Sequence, residues 1–132
     1  MRLWHKDIIR FLPRSQLLAQ WRELNSIFAK EDKHILINYI YDYPLDHLYT
    51  YTQIVIAEFK LRGYNIRSFE KMERYFSPSD ENIVEKLFEN HHNDDYFEIC
   101  YFNLKEKYIR EQKDFDKARF DALHSYYKNK RA

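Results

Sequence analysis

Apolar residues recur at helical spacing in the first third of the chain. Four of them follow Pro13 at positions i, i+4, i+7 and i+11: Leu17, Trp21, Leu24 and Phe28. This spacing is that of one buried stripe along an α-helix. The pattern predicts a first helix that begins after the proline and ends near Lys30.

A second helix is predicted after Pro44, because proline is favoured at the first position of a helix. The residues that its spacing turns toward a core are Leu45, Leu48, Thr52, Val55, Ile56 and Phe59. Its other sides also carry apolar residues, which is typical of a helix surrounded by protein. Gly63, the only glycine in the sequence, supplies the left-handed residue that ends it. We therefore expect this helix to be central and buried.

The remainder of the chain predicts further helices, of which the first is short. Helical patterns cover four further segments: 67–76, 77–90, 94–112 and 116–127. Ser68 is placed to cap the first of them, and Ser79 or Asp80 to cap the second. The sequence has no internal repeat and no flexible linker, and its length fits one domain. We expect residues 1–132 to form a single all-α domain, a compact helical bundle around the buried central helix.

Composition limits the classes of function that need to be considered. Hydrophobic residues make up 45% and aromatic residues 18% of the chain, which is ample material for a core. The net charge of +1 argues against a protein held to nucleic acid by bulk charge alone. Any basic surface must be local, and the segment after residue 102 is richer in basic than in acidic residues.

The cysteine content and the hydropathy pattern indicate the cellular setting. Cys100 is the only cysteine, so no intrachain disulfide can form, and its apolar neighbours suggest a core residue. No apolar run approaches the length of a membrane span, and the start of the chain lacks the apolar core of a signal peptide. We expect a cytoplasmic protein without a membrane partner, and a monomer.

Polar residues of the first helix are the first candidates for chemistry. Gln16 and Glu23 are seven residues apart and nearly eclipsed, on a face turned away from Trp21. Arg22 points about 100° to the side, where it could hold a phosphate while Glu23 faces a reacting carbon. A solvated polar helix face accounts for the same pattern, so the residues alone leave both interpretations open.

Other motifs point away from metals and nucleotide loops. The six histidines do not have the spacing of a metal site, and one glycine cannot form a glycine-rich phosphate loop. We expect no metal and no cofactor. The tail places Tyr126 and Tyr127 beside Lys128, a combination that suits a nucleic-acid backbone and an unstacked base, or else a frayed, solubilising end.

Two stretches resemble a known family, the phage-type endonuclease V pyrimidine-dimer DNA glycosylases, and its bacterial relatives that begin Met-Arg-Leu-Trp. The first is the helix pattern from Leu17 through Arg22-Glu23-Leu24, which is similar to the catalytic helix of the family. The second is "IAEFKLRGYNI", residues 56–66, which is similar to the end of the family's central helix. The resemblance covers about the first half of the chain.

The resemblance implies chemistry by a protein amine. In this family the terminal α-amine attacks the sugar C1′ of a damaged nucleotide, forms a Schiff base and cuts the strand by β-elimination. Here the amine would be that of Met1, because Arg2 is too large for ordinary removal of the initiator methionine. Glu23 would be the supporting carboxylate, with Arg2 and Arg22 as phosphate-holding partners.

The chain also departs from the family pattern. Gln16 stands where the family has a histidine, and Ser26 where it has a basic residue. The expected function is a DNA repair glycosylase with AP-lyase activity on double-stranded DNA that contains damaged bases. The alternatives are a non-catalytic DNA-binding protein on the same scaffold and a helical interaction module.

Overall fold

Helices account for the regular structure of this protein. A computed structural model describes residues 1–131. Its five α-helices are α1 (Arg14–Lys30), α2 (Leu45–Arg62), α3 (Glu70–Tyr75), α4 (Asp94–Ile109) and α5 (Lys117–Arg131). Three short 3-10 helices lie at Ile9–Phe11, Asn38–Asp42 and Pro78–Asp80. Residues 1–131 contain no strand, so the predicted all-α fold is confirmed.

Helix α2 occupies the centre of the bundle. It packs against α1 and against all three 3-10 helices, while α1 also contacts α3, and α4 pairs with α5. Seven of its residues are buried: Leu48, Thr50, Tyr51, Thr52, Val55, Ile56 and Phe59. The predicted central helix is therefore confirmed. Leu45 is the exception among the predicted core positions, because it lies in the first turn and is 37% exposed.

The stripe on α1 is buried as predicted at Leu17, Leu24 and Phe28. Trp21 is only half-buried, and its indole packs on the rings of Phe59 and Phe69 at centroid distances of 6.2 and 6.0 Å. A polar residue, Gln20, is fully buried on the same side of the helix. Cys100 is buried in the core, as its apolar neighbours predicted.

The helix predicted over 77–90 is wrong. Only a 3-10 turn forms at Pro78–Asp80, and the backbone then follows an irregular path to α4. The reason is that side chains of α2 accept hydrogen bonds from backbone N–H groups of this segment. The Thr50 hydroxyl accepts from the Val84 N–H at 2.9 Å, and His47 Nδ1 accepts from the Phe88 N–H at 3.1 Å. These bonds replace the partners that a helix would provide.

The third predicted helix is shorter than its pattern indicated. It is confined to α3, and Ser68 lies two residues before its first residue, where its hydroxyl accepts from the Glu70 N–H at 3.1 Å. The two 3-10 helices at Ile9–Phe11 and Asn38–Asp42 were not predicted. None of the described helices is both long and apolar enough to cross a membrane.

Gly63 offers a direct test of how α2 ends. It has a φ of 76°, and its N–H donates to the Lys60 carbonyl at 3.1 Å. A Cβ at this position would meet nothing within 4 Å, so only backbone strain opposes a side chain. We expect Gly63→Ala to lower the free energy of unfolding by about 1 kcal/mol, measured by urea denaturation. Gly63→Asn is the control and should lose less, because asparagine tolerates the left-handed conformation. Equal losses would contradict this account.

Candidate active site around Glu23

The carboxylate of Glu23 is half-buried on α1. Its Oε2 accepts a hydrogen bond from Gln20 Nε2 at 3.1 Å. Burial raises the pKa of Glu23 above its usual value, while the terminal ammonium of Met1 and the guanidinium of Arg22 act in the opposite direction. The two cations are therefore close enough to interact electrostatically with this carboxylate.

Gln20 connects Glu23 to the start of the chain. Its side chain is fully buried, and its amide satisfies several partners at once. Oε1 accepts from the Trp4 N–H at 2.8 Å, and Nε2 donates to the Arg2 carbonyl at 3.1 Å as well as to Glu23. The Tyr51 hydroxyl lies 2.8 Å from Oε1. A buried amide held in this way has one orientation only.

Residues 1–6, called the terminal segment below, are held from several sides. The Tyr51 hydroxyl donates to the Trp4 carbonyl at 2.7 Å, and the Tyr96 hydroxyl donates to the Leu3 carbonyl at 2.5 Å. The Lys6 N–H donates to His92 Nδ1 at 3.0 Å. Three residues of the segment are buried in the core: Leu3, Trp4 and His5. Met1, 39% exposed, is left at the edge of the core beside Glu23.

Two neutral imidazoles, one of them within the terminal segment, pack together in the core. The rings of His5 and His92 stack at a centroid distance of 5.2 Å. Burial lowers the pKa of His5 to about 4 and that of His92 to about 2. His92 Nε2 also lies 2.6 Å from the Tyr39 hydroxyl. Both rings therefore act as uncharged parts of the core. Within residues 1–131 no group of three His, Cys, Asp or Glu side chains could hold a metal ion.

The two predicted phosphate-holding arginines take different positions. Arg2 is half-buried, and its guanidinium lies 5.7 Å from the Trp4 ring and 5.9 Å from the Tyr96 ring. Arg22 is exposed and opens onto a groove beside α1. Arg22 is therefore the more accessible of the two guanidinium groups, and it is the one that acts on the pKa of the Glu23 carboxyl group.

The groove beside Arg22 has a volume of about 710 Å³. It lies between α1, the end of α2 and the start of α3. Its lining residues are Arg14, Leu18, Trp21, Arg22, Asn25, Phe59, Asn65, Ile66, Arg67, Ser68, Glu70 and Lys71. Three basic residues in this set, Arg14, Arg67 and Lys71, were not identified from the sequence. The sequence signal that pointed toward this groove was Ile66, the last residue of the second stretch of resemblance, which directly precedes Arg67.

Gln16 occupies the same face of α1 as Glu23, two turns earlier, about 10 Å along the axis. Its amide pairs with that of Gln112, which follows α4: Gln16 Nε2 donates at 3.3 Å and Gln112 Nε2 donates back at 2.8 Å. Gln112 also donates to Asp114, whose carboxylate accepts from the Ser15 N–H at 2.7 Å. The loop after α4 therefore covers the first turn of α1.

The tail residues pack against the protein. The Tyr126 ring lies between Phe11 and Phe97, at centroid distances of 5.3 and 5.5 Å. Tyr127 stacks on Tyr101 at 3.9 Å, and Lys128 is exposed. All three belong to α5, so the tail is helical rather than frayed through residue 131. These aromatic contacts hold the tail on α4 and on the 3-10 helix before α1, and do not bring it to Glu23.

Comparison with known proteins concerns the first part of the chain. A sequence model of a family described as pyrimidine dimer DNA glycosylase matches residues 1–72. The matched region contains Met1, Glu23, Gln20 and Tyr51, and it ends within α3. No curated protein and no solved structure matches the chain significantly. The match agrees with the resemblance of the two sequence stretches and stops before α4.

Glu23→Gln should stabilise the protein at neutral pH and have little effect near pH 4. Burial raises the pKa of Glu23 in the folded state, so the folded protein binds this proton more tightly than the unfolded chain. Ionisation of Glu23 therefore lowers the free energy of unfolding as the pH rises through its folded pKa, and a neutral amide at this position avoids that loss. Urea unfolding of both proteins between about pH 4 and 8 measures the difference.

The exposed Glu85 provides the matched control. Glu85→Gln should leave the unfolding free energy close to that of the unmodified protein throughout the same pH range, because its carboxylate stays in water. A stability difference for Glu23→Gln that did not grow with pH would contradict the account of Glu23.

Proposed function

Because the chain belongs to the pyrimidine dimer DNA glycosylase family, we propose that it removes a damaged base, such as a pyrimidine dimer, from double-stranded DNA. We further propose that it then cuts the strand as an AP lyase. One observation carries this proposal: the buried Gln20 amide donates both to the Arg2 carbonyl, one residue from the Met1 amine, and to the Glu23 carboxylate, each at 3.1 Å. A potential nucleophile and a carboxylate are thus held near one another at one edge of the protein.

The amine of Met1 is the proposed nucleophile. An α-amine is intrinsically less basic than the side chain of lysine, so it reaches the neutral, nucleophilic form more readily. Its nitrogen bonds to the sugar C1′ while the bond from C1′ to the base breaks, and the base leaves with the electron pair and takes up a proton. Proton loss from nitrogen and opening of the sugar ring give the Schiff base. β-Elimination then breaks the C3′–O bond.

Glu23 has an electrostatic role in this proposal. Positive charge develops at the sugar as the base departs, and a carboxylate at the reacting carbon stabilises that charge. Partial burial supports the role, because charges interact more strongly where water is excluded. The hydrogen bond from Gln20 Nε2 occupies Oε2, and it fixes the direction of the carboxyl group.

The groove beside Arg22, called the basic groove below, supports binding of the DNA backbone. Arg14, Arg22, Arg67 and Lys71 are four cations against a single carboxylate, that of Glu70, among the lining residues. Because the net charge of the whole chain is only +1, a surface that binds the DNA backbone has to be a local cluster of basic residues, and this groove is such a cluster. Since C1′ is inaccessible within a duplex, the bound DNA has to be kinked or a nucleotide flipped out. This step costs a few kcal/mol and less at a damaged site.

Two family contacts are replaced by interactions within this chain. Gln16 is paired with Gln112, and the Ser26 hydroxyl donates to Asp32. These pairs favour a second candidate, a non-catalytic DNA-binding protein on the same scaffold. It predicts salt-dependent binding that survives Glu23→Gln, with no covalent intermediate.

Borohydride trapping separates the two candidates. Duplexes with an abasic site or a cyclobutane thymine dimer are incubated with the protein and reduced, and the covalent adduct is measured on a denaturing gel. We expect adducts on both substrates, abolished by acetylation of the terminal amine. Glu23→Gln should slow adduct formation on the dimer by about a hundredfold, the usual loss when one electrostatic group at a reaction centre is removed.

Glu85→Gln is the control and should trap at the unmodified rate. Adduct on the abasic site alone would indicate a lyase and contradict excision of thymine dimers. Binding without an adduct on either substrate would overturn the enzyme and favour the binding protein. An adduct that survives terminal acetylation would contradict Met1 as the nucleophile.

A further inference from the structure

The position of the Met1 amine depends on how the main chain behind it is held. Only Met1 and Arg2 precede the first fully buried residue, Leu3. Two residues span at most about 7 Å, so the amine remains close to wherever Leu3 is fixed. A small shift of the Leu3 or Trp4 backbone would therefore move the amine relative to Glu23.

Two tyrosine hydroxyls hold this part of the backbone. Tyr51, on α2, donates to the Trp4 carbonyl at 2.7 Å, and Tyr96, on α4, donates to the Leu3 carbonyl at 2.5 Å. The two bonds reach adjacent carbonyl groups from different helices. Together they restrain rotation and translation of the segment that ends in the amine.

Tyr51 also acts on the carboxylate side of the site. Its hydroxyl lies 2.8 Å from Gln20 Oε1, the atom that accepts from the Trp4 N–H. Because Oε1 accepts from the Trp4 N–H, Nε2 of the same amide faces the Arg2 carbonyl and Glu23. A single phenol therefore touches both the backbone behind the amine and the amide that orients the carboxylate.

Both phenols remain donors at cellular pH. Burial raises the pKa of Tyr51 and of Tyr96 above the usual value, so neither becomes a phenolate. Tyr51 is fully buried and Tyr96 is half-buried. Neither is expected to touch DNA or the reacting atoms.

We propose that Tyr51 and Tyr96 are positioning residues, which set the separation between the Met1 amine and Glu23 through the Trp4 and Leu3 carbonyls. Tyr96 lies outside the matched residues 1–72, so α4 would contribute to a site whose reacting groups all lie in the first half. The inference rests on the proposed function.

The test compares Tyr51→Phe and Tyr96→Phe with a matched variant, Tyr101→Phe. Tyr101 is as buried as Tyr51, and its hydroxyl bonds to His124 Nδ1 at 2.6 Å, at the contact between α4 and α5. Adduct formation on an abasic-site duplex is followed by borohydride trapping at increasing DNA concentration, with thermal unfolding of each protein measured in parallel. The assay gives a maximal rate and a half-saturating DNA concentration.

We expect Tyr51→Phe and Tyr96→Phe each to lower the maximal rate about tenfold or more, because misplacement of reacting groups by even 1 Å is costly. The half-saturating DNA concentration should stay unchanged, since the basic groove is untouched. Tyr101→Phe should lose thermal stability to a similar extent and keep the unmodified rate. This split between rate and binding is one that a merely structural loss would not produce.

The outcomes distinguish this inference from the proposed function. An unmodified protein that forms adducts, with variants that trap equally fast, would overturn the positioning role and leave the enzyme intact. Equal rate losses in all three variants would also overturn it, as a general effect of losing a buried hydroxyl. If the unmodified protein forms no adduct, the proposed function fails and the positioning role fails with it. Should Tyr51→Phe not fold, Tyr96→Phe alone decides between these results.

Discussion

The buried amide of Gln20 is the interaction on which the arrangement of the site depends. An amide without partners in a core is strongly destabilising, so the fold has to bring donors and acceptors to it. It does so with the Trp4 N–H, the Arg2 carbonyl and Glu23. Satisfying this one side chain therefore fixes the start of the chain against α1 and orients the carboxylate beside it.

Hydrophobic periodicity was sufficient to predict α1 and α2, because each buries apolar residues that recur at regular helical spacing. It failed over 77–90, where Thr50 and His47 on α2 take backbone donors that a helix would have used. Such long-range bonds leave no local pattern in the sequence. The burial of Gln20, by contrast, has a sequence signal. Gln20 lies on the apolar stripe between Leu17 and Leu24, where a polar residue is unusual.

The candidate site was less accessible to sequence reasoning than the fold. Spacing placed Glu23 and Arg22 on adjacent faces of α1, and the resemblance alone suggested the terminal amine. The basic groove assembles residues from three helices and their connections, so Arg67 and Lys71 could be assigned to it only in three dimensions. The same holds for Tyr96, which reaches Leu3 across 93 positions of sequence.

The bonds that hold the terminal segment all meet main-chain atoms. Gln20, Tyr51, Tyr96 and His92 contact N–H and carbonyl groups that every residue other than proline provides. The half-buried side chain of Lys6 takes no part in these bonds, so it can be replaced while the path of the backbone is kept. New charges or shapes for other substrates could be acquired there without rebuilding the scaffold.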